Sequence, residues 1–584
     1  MLSFKQAWLS LTEDQKKFSI LIFVMMFFSM ILEALSIGII LPLLSIFLKG
    51  NLDSSAFSYF FTFFGNPKGN ELIYVGLFVT MGIFLVKNIY LIFFQWCQIK
   101  FIQKLNVEIS DKLFKSYLHR DYFFFLKTNT AQLIRNVTSE IASFVEYINN
   151  ALVLFRETTV LIGITVILFY VDFFITFIVL FLVGIFSFLI YRFTRKKIAI
   201  FGKERILTDG LLTKHFIQGL TSVKDVKILN REDDLVGQVY KNLLKRRKIN
   251  IFIGLIGSLP KYLFEILVVC IFVLLVFIMI SMNKNFTDIM QYLGLFAVAT
   301  FRIIPATTRI VTSFQQTKFR QPTVENLYEQ LGDASNNAIK DSAQRVNNKP
   351  IKFEKQIKIE KLCFSYPTRD KFNLSEISIN INKGDFVGIV GETGSGKSTL
   401  INLLTGLLNP TGGKLEVDEL NIHSNLVSWH KKIGYVPQSI YLLDDSIKKN
   451  IAFGLEDKDI NDNLVKHAIK KANLNELVEK LPNGMDTIVG EKGIKFSGGQ
   501  QQRIGIARSL YHDPEILILD EATSSLDLST EKKIMQSIQA LKGKKTLIVV
   551  THRLSTVQHC DNIFYISNGK IIKQGSPKEV LDNL

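Results

Sequence analysis

The sequence has little cysteine, and what it has is scattered. Cys97, Cys270, Cys363 and Cys560 lie far apart, with no CxxC pair and no Cys/His cluster. Such spacing suggests neither a zinc site nor a disulfide framework. No cleavable signal peptide is expected, because the first apolar run begins near Phe18 and continues to about Leu48, much longer than a signal core. No internal repeat is visible. Acidic residues fall short of basic ones, 52 against 69, leaving a net charge of +17. In a soluble protein that excess would point to nucleic acid. Here 48% of the residues are hydrophobic and mean hydropathy is +0.24, too apolar for an ordinary soluble protein. Basic loops beside membrane spans explain the charge more simply.

What is abundant is phenylalanine, 48 residues in 584, as expected if much of the surface faces lipid. Six stretches reach the roughly 20 apolar residues a bilayer core requires. They run over about 18–48, 72–99, 143–170, 173–194, 251–282 and 287–318. Long polar helical stretches, about 100–142 and 195–250, follow the second and fourth. The other connections are short and weakly charged, carrying Asp53 and Lys68, then Asp172, then Lys284 and Asp288. The run Lys245–Lys248 abuts an apolar segment, as a membrane-flanking anchor should. Residues 319–350 are polar and rich in Asn, Gln and Ala, and read as a linker. From 351 onward, strand-like and helix-like segments alternate, as in an α/β domain.

That second part carries a phosphate-binding loop: Gly391, Glu392, Thr393, Gly394, Ser395, Gly396, Lys397 and Ser398. Glycines let the backbone curl so that its N–H groups point at phosphate oxygens. Lys397 adds a charge for the β- and γ-phosphates, and the Ser398 hydroxyl can ligate Mg²⁺. An apolar strand, 385–390, precedes the loop, and a helix opening with Thr399 follows it. The N-terminus of that helix favours an anion. A second strand, 516–519, ends in Asp520 and Glu521. Asp520 suits the Mg²⁺ shell and Glu521 suits a general base for water. Ser497, Gly498, Gly499 and Gln500 stand before another helix, a second anion site that is weak alone.

With these motifs together, nearly the whole chain resembles the ABC transporter family, specifically its exporter half-transporters. Phe496–Gln500 resembles the family signature, with Phe where Leu is usual. Gln438 matches the loop that links Mg²⁺ to the membrane domain, and His552 the switch histidine on the γ-phosphate. Tyr366 stands where the family stacks an aromatic ring on adenine. Ser524–Asp527 resembles the D-loop, with Ser525 where Ala is commoner. Val489–Glu491 resembles the segment that touches the membrane domain. The resemblance implies a composite site, the loop of one copy facing the signature of another, and hence a homodimer. It implies ATP and Mg²⁺ as ligands, with Ser398, Gln438 and Asp520 at the metal. The expected architecture is multidomain: an all-α six-span transmembrane domain of ABC exporter type over 1–318, the linker 319–350, and an α/β P-loop ATPase domain over 351–584. A motor that must meet cytosolic ATP places both termini in the cytosol of a bacterium, with the chain in the cytoplasmic (inner) membrane. The basic loops then fall inside.

The motor is silent on cargo. In the loop after span one, Phe57, Phe60, Phe61 and Phe64 form one stripe of a short helix, which Asp53 or Ser54 can cap and Gly65 and Pro67 stop. It reads either as a helix in the lipid interface or as packing that closes the outer mouth. Counted from the outer ends, Lys87 and Arg302 lie roughly 22–24 Å deep, and Lys261 and Arg309 roughly 31–33 Å. Charges there are costly and normally face a cavity or a partner. Lys261 has Glu265 one turn on, Glu33 is a candidate partner across helices, and Arg309 can snorkel. Arg302 and Arg309 have no acid on their own span beyond Asp288 at its outer end. A basic excess suits an anionic cargo such as a diphosphate; structural pairing is the alternative.

The membrane half also resembles bacterial lipid-linked oligosaccharide flippases of N-glycosylation, at Glu33–Pro42, Pro260–Glu265 and Arg302–Ser313. Lys87 and Lys261 stand where that group has arginine, which keeps the charge and loses the bidentate geometry. The expected function is ATP-driven flipping of a polyprenyl-diphosphate-linked oligosaccharide, with no nucleic-acid partner. The helices flanking about 119–126 and 210–220 are expected to transmit motor closure to the spans. A lipid A, multidrug or peptide exporter is the alternative; a soluble DNA-associated ATPase and an importer are more distant.

Overall fold

The structure, a computed structural model, describes residues 2–40, 43, 70–171, 173–281, 286–345, 349–366, 373–490, 493–522 and 528–581. The Phe57–Phe64 stripe with its flanking Asp53, Ser54, Gly65, Pro67 and Lys68 lies outside them, as do Asp172, Lys284, Glu491 and Ser524–Asp527. The chain divides into two compact units, 1–120 with 127–338, and 121–126 with 339–584.

The first unit is all helix. Helix α1 (Leu2–Leu9) is followed by α2 (Glu13–Gly38). Thr12 and Gln15 close a capping box at the start of α2, and Glu13 and Asp14 add negative charge to its first turn. Next come α3 (Asn70–Leu118), the short α4 (Tyr122–Lys127), which falls with the second unit, and α5 (Thr130–Arg135). A π-helical turn, Asn136–Glu140, leads into α6 (Ile141–Val171). Then follow α7 (Phe173–Thr221), the short α8 (Val223–Ile228), α9 (Glu232–Ser281) and α10 (Phe286–Arg345).

The 49-residue α3 and α7 measure roughly 75 Å, against a bilayer core of about 30 Å. Much of the polar sequence after the second and fourth apolar stretches is therefore continuation of the same helices. Five described helices are long and apolar enough to cross a membrane: Glu13–Gly38, Ile73–Leu118, Thr130–Tyr170, Thr176–Thr221 and Glu232–Ser281. The sixth expected span lies on α10, where several side chains before Ala299 are outside the described residues. Helix α10 also runs through most of the expected linker, to Arg345.

Apolar residues line the surface of this unit, with Phe78, Phe193 and Phe301 73%, 79% and 84% exposed. In water such a surface would be a liability; in lipid it is the solvated face. Glycine sets the close approaches. A Cβ on Gly202 of α7 would stand 2.4 Å from the carbonyl oxygen of Phe319 on α10.

The second unit holds two sheets. Strands β1 (Gln356–Phe364), β2 (Leu374–Asn382), β4 (Gly412–Val417) and β5 (Leu420–Asn421) form an antiparallel sheet, in the order β2-β1-β4-β5. The other sheet runs β10-β9-β3-β8-β7-β6. It comprises β3 (Phe386–Gly391), β6 (Ile433–Val436), β7 (Ile516–Asp520), β8 (Thr546–Val550), β9 (Asn562–Ser567) and β10 (Lys570–Gly575). All its pairings are parallel except β9–β10. Every residue of β3, β7 and β8 is buried, which explains the apolar runs 386–391, 516–519 and 547–550. Helices α11 (Lys397–Leu404) and α12 (Gly498–Leu510) each follow an anion-binding motif.

Candidate functional site

The buried strand β3 delivers the phosphate loop. Its last residue, Gly391, has room for no side chain: a Cβ there would be 2.2 Å from the Ile566 carbonyl oxygen. Gly394 and Gly396 take φ of +85° and +110°, the left-handed region that glycine enters freely. Gly396 then caps α11, whose first N–H groups have no intrahelical acceptor. Lys397 folds back over the loop, its Nζ donating to the carbonyls of Gly391 at 2.6 Å and Glu392 at 2.8 Å. Burial pulls its pKa down, opposed by Glu521 and Asp520. The Ser395 hydroxyl is buried with no hydrogen-bond partner. Turned-in glycines, free helix N–H groups and an unpartnered hydroxyl fit the phosphates of a nucleotide. Ser398 and Thr399 lie in the first turn of α11.

Strand β7 delivers the acids. Asp520 is its last residue and 8% exposed. Burial raises the Asp520 pKa, and a 3.3 Å hydrogen bond donated by the Tyr435 hydroxyl works against that rise. The Tyr435 hydroxyl is itself held strongly protonated, by burial first and by Asp520 next. Glu521 follows with φ +49°, and its N–H donates to Val550 O at 2.8 Å. A non-glycine residue in this region is a local cost of the kind found at active sites. The turn aims the carboxylate between two partners. Gln438 Nε2 donates to Glu521 Oε2 at 2.8 Å, and His552 Nδ1 is 3.1 Å from Oε1. Hydroxyl, amide and carboxylate oxygens from Ser398, Gln438 and Asp520 are the donor set a hard cation such as Mg²⁺ takes.

Ser497 caps α12 in a closed box: its hydroxyl accepts from Gln500 N–H at 3.3 Å, and Gln500 Oε1 accepts from Ser497 N–H at 2.9 Å. This points the N–H groups of Gly498 and Gly499 out of the helix end. Among the described residues, no hydrogen bond joins Ser497–Gln500 to the loop 391–398 of the same chain. Tyr366 packs edge-on against Phe364, and its other face meets the Phe123 ring of α4 at 6.5 Å. The sequence reading missed Phe123 and Tyr435. A lone aromatic in a run of them carries no motif, although Tyr435 stands three residues before Gln438.

In the first unit the four basic candidates separate. The Arg302 fork is taken by Glu33 of α2: Nε donates to Oε2, and Nη2 to Oε1 at 2.5 Å. Arg302 Nη2 is also 3.6 Å from Oε2 of Glu157 on α6. Arg309 Nη1 donates to Glu157 Oε1 at 2.9 Å, a partner across helices rather than on its own span. Arg156 Nη2 donates to the same oxygen at 2.7 Å. Glu157 is fully buried and Glu33 nearly so. Lys87 Nζ donates to Ser36 Oγ at 3.4 Å, within electrostatic reach of Glu33 and Arg302. Lys261 stands apart. Its ammonium is 5.7 Å from the Tyr262 ring, and among the described residues it forms no ion pair with Glu265. Glu157 was missed because Glu33 was the one acid weighed across helices; a mid-span acid in 143–170 was the available signal.

Comparison with known proteins adds the following. Residues 374–524 match the family model described as ABC transporter, and residues 19–303 that described as ABC transporter transmembrane region. The ATP-dependent lipid A-core flippase of Ralstonia nicotianae is 27% identical over 484 residues, covering 82% of this chain and 80% of that protein. The protein of the same name from Vibrio vulnificus is 26% identical, covering 89% and 88%. ABC transporter B family member 21 of Arabidopsis thaliana is 40% identical over 227 residues, which are 38% of this chain and 17% of that one. A solved structure of a bacterial Atm1-family ABC exporter with ATP bound shares the fold, with a TM-score of 0.75 and 21% identity over 95% of each chain.

Proposed function

Because the chain belongs to the ABC transporters, with transmembrane region and ATP-binding domain on one polypeptide, we propose that it flips a phosphate-bearing glycolipid across the bacterial cytoplasmic membrane, specifically a polyprenyl-diphosphate-linked oligosaccharide. ATP-driven export follows from the family. The cargo class rests on one observation, the basic excess inside the membrane. Among the described residues, Lys87, Arg156, Arg302 and Arg309 gather around two carboxylates, Glu33 and Glu157. A second reading, lipid A-core as cargo, is favoured by the names of the relatives. Both cargoes offer phosphate groups to the same cations.

The motor works as a homodimer in this proposal. Each ATP is held between Gly391–Ser398 of one copy and Ser497–Gln500 of the partner subunit. Tyr366 stacks on the adenine. Lys397 exchanges the Gly391 and Glu392 carbonyls for phosphate oxygens. Mg²⁺, when held by Ser398, Gln438 and Asp520, neutralises charge on the phosphates. Glu521 accepts the proton of the attacking water, and His552 steadies the carboxylate from its other oxygen. The left-handed turn at Glu521 fixes that carboxylate before nucleotide arrives. Short helix α4, counted with the ATPase unit, carries the motor's state toward the spans.

Proteoliposomes loaded with fluorescent polyprenyl-diphosphate oligosaccharide, and in parallel with lipid A-core, test the cargo. ATP-dependent movement of the first, lost in Lys397→Ala, is expected. Movement of lipid A-core alone would replace the reading. Movement of neither, with ATP hydrolysis intact, would remove both.

A further inference from the structure

In the membrane unit, the arginine forks of the basic cluster are filled by protein carboxylates. Glu33 takes two donors of Arg302 side by side, the arrangement in which guanidinium also binds a phosphate oxygen pair. Glu157 is shared among Arg156, Arg302 and Arg309. Arg302 and Arg309 are seven residues apart on α10, so two helical turns, roughly 10 Å, separate the two forks on one face. We propose that Glu33 and Glu157 are resident counter-anions which the diphosphate of the cargo displaces, so that loading the site is an anion exchange. This rests on the phosphate-bearing cargo proposed above.

The exchange is physically feasible because neither acid is stranded by it. An unpaired ion at this depth would be costly. Glu157 keeps Arg156, whose Nη2 and Nε donate to it at 2.7 and 3.2 Å. Glu33 has Lys87 within electrostatic reach, its ammonium tethered by Ser36 one turn along α2. The four cations thus fall into two pairs. Arg302 and Arg309 are released to the cargo, while Arg156 and Lys87 retain the acids. A diphosphate esterified at both ends carries one charge on each phosphorus, matching the two released guanidinium groups. The exchange also has a structural consequence. Glu33 is on α2 and Glu157 on α6, and both bind α10 through these arginines. A cargo that takes Arg302 and Arg309 cuts the ionic ties holding α10 to its two neighbours. Loading the site would thereby loosen the helices that must move.

The test uses the full chain in nanodiscs, in a Lys397→Ala background so that the nucleotide loop does not take the probe. Farnesyl diphosphate is titrated, with farnesol as the uncharged control. Glu157→Gln removes the competing charge while keeping the side chain's shape. It is expected to bind farnesyl diphosphate at least about five-fold more tightly than its parent, with farnesol unchanged. Glu33→Gln should act in the same direction, and serves alone if Glu157→Gln fails to fold. Arg302→Gln should lose the preference for diphosphate. If the parent prefers farnesyl diphosphate to farnesol but the Gln variants bind it equally or more weakly, the exchange is wrong and the anionic-cargo reading survives. If the parent shows no preference for the diphosphate, that reading fails, and the exchange with it.

Discussion

The ATPase unit and the membrane unit build their sites in opposite ways. In the ATPase unit the backbone does most of the placing. Gly394, Gly396 and Glu521 owe their positions to left-handed turns at the ends of buried strands, and Ser497 to a helix cap. In the membrane unit long helices pass each other, and the cluster is assembled from side chains. Glu33 meets Arg302 across 269 residues of sequence, and Glu157 meets Arg309 across 152. A backbone-built site leaves a local motif in the sequence. A side-chain-built site leaves isolated charges whose partners the sequence does not name.

The sharpest way to break this contrast is to remove chemistry without touching backbone. Glu521→Gln keeps the turn, the Gln438 contact and the His552 contact in shape, and loses the base. ATP turnover by the purified chain should fall by at least about 10²-fold, the usual contribution of a positioned general base. Lys397→Ala should fall as far. Tyr90→Phe in the membrane unit, which removes a hydroxyl that donates to Met25 O, should leave basal ATP hydrolysis within about two-fold. Near-normal turnover in Glu521→Gln would sink the assignment of the carboxylate.

That asymmetry also sets what was legible in the sequence. The loop 391–398 was readable because every position answers a local demand, and the strand before Asp520 because a doubly buried strand is apolar throughout. The helical unit was readable from apolar length, but its true helix ends were not. Nothing in the sequence after Lys100 interrupts α3 before Leu118, so a polar stretch and an apolar one became one helix. The Arg302–Glu33 pair was only partly legible and Glu157 not at all, because pairing across helices depends on rotation and depth. The expected Lys261–Glu265 pair fails for the converse reason: one-turn spacing permits contact, but Lys261 Nζ turns toward the Tyr262 ring instead.

A smaller effect probes the two units with one kind of change. Gly391 and Gly202 each face a carbonyl oxygen so closely that a Cβ would fall 2.2 and 2.4 Å from it. Gly391→Ala should push β3 from β9 and weaken binding of a fluorescent ATP analogue by at least about ten-fold, the loop geometry being lost. Gly202→Ala should force α7 from α10 at a cost of about 1–3 kcal/mol, read as a lower melting temperature in detergent. Its nucleotide affinity should stay within about two-fold of the parent. Equal loss of nucleotide binding in both variants would mean that packing in the membrane unit sets the loop geometry after all.

The smallest effect concerns a place where the ATPase site relies on a side chain rather than backbone. The Tyr435 hydroxyl donates to Asp520 and opposes the rise that burial imposes on its pKa. A carboxyl whose pKa is raised on folding costs stability when ionised. That cost is absent below the ordinary carboxylate value and fully present above the raised one. Mg²⁺ ligation needs the ionised form, so the acid limb of ATP hydrolysis should follow Asp520. Tyr435→Phe removes a donor that opposes burial, so the acid limb should move to higher pH. One neutral hydrogen bond is worth about 0.5–1.5 kcal/mol, so turnover on that limb should fall a few-fold and change little at alkaline pH. The Mg²⁺ concentration needed for half-maximal turnover should rise in step. Tyr90→Phe is the matching change in the membrane unit, where the hydroxyl donates to Met25 O at 2.7 Å. It joins two helices and touches no acid, so it should lower the melting temperature slightly and leave the pH profile unmoved. Superimposable acid limbs for Tyr435→Phe and the parent would show that the Tyr435 hydroxyl does not tune Asp520.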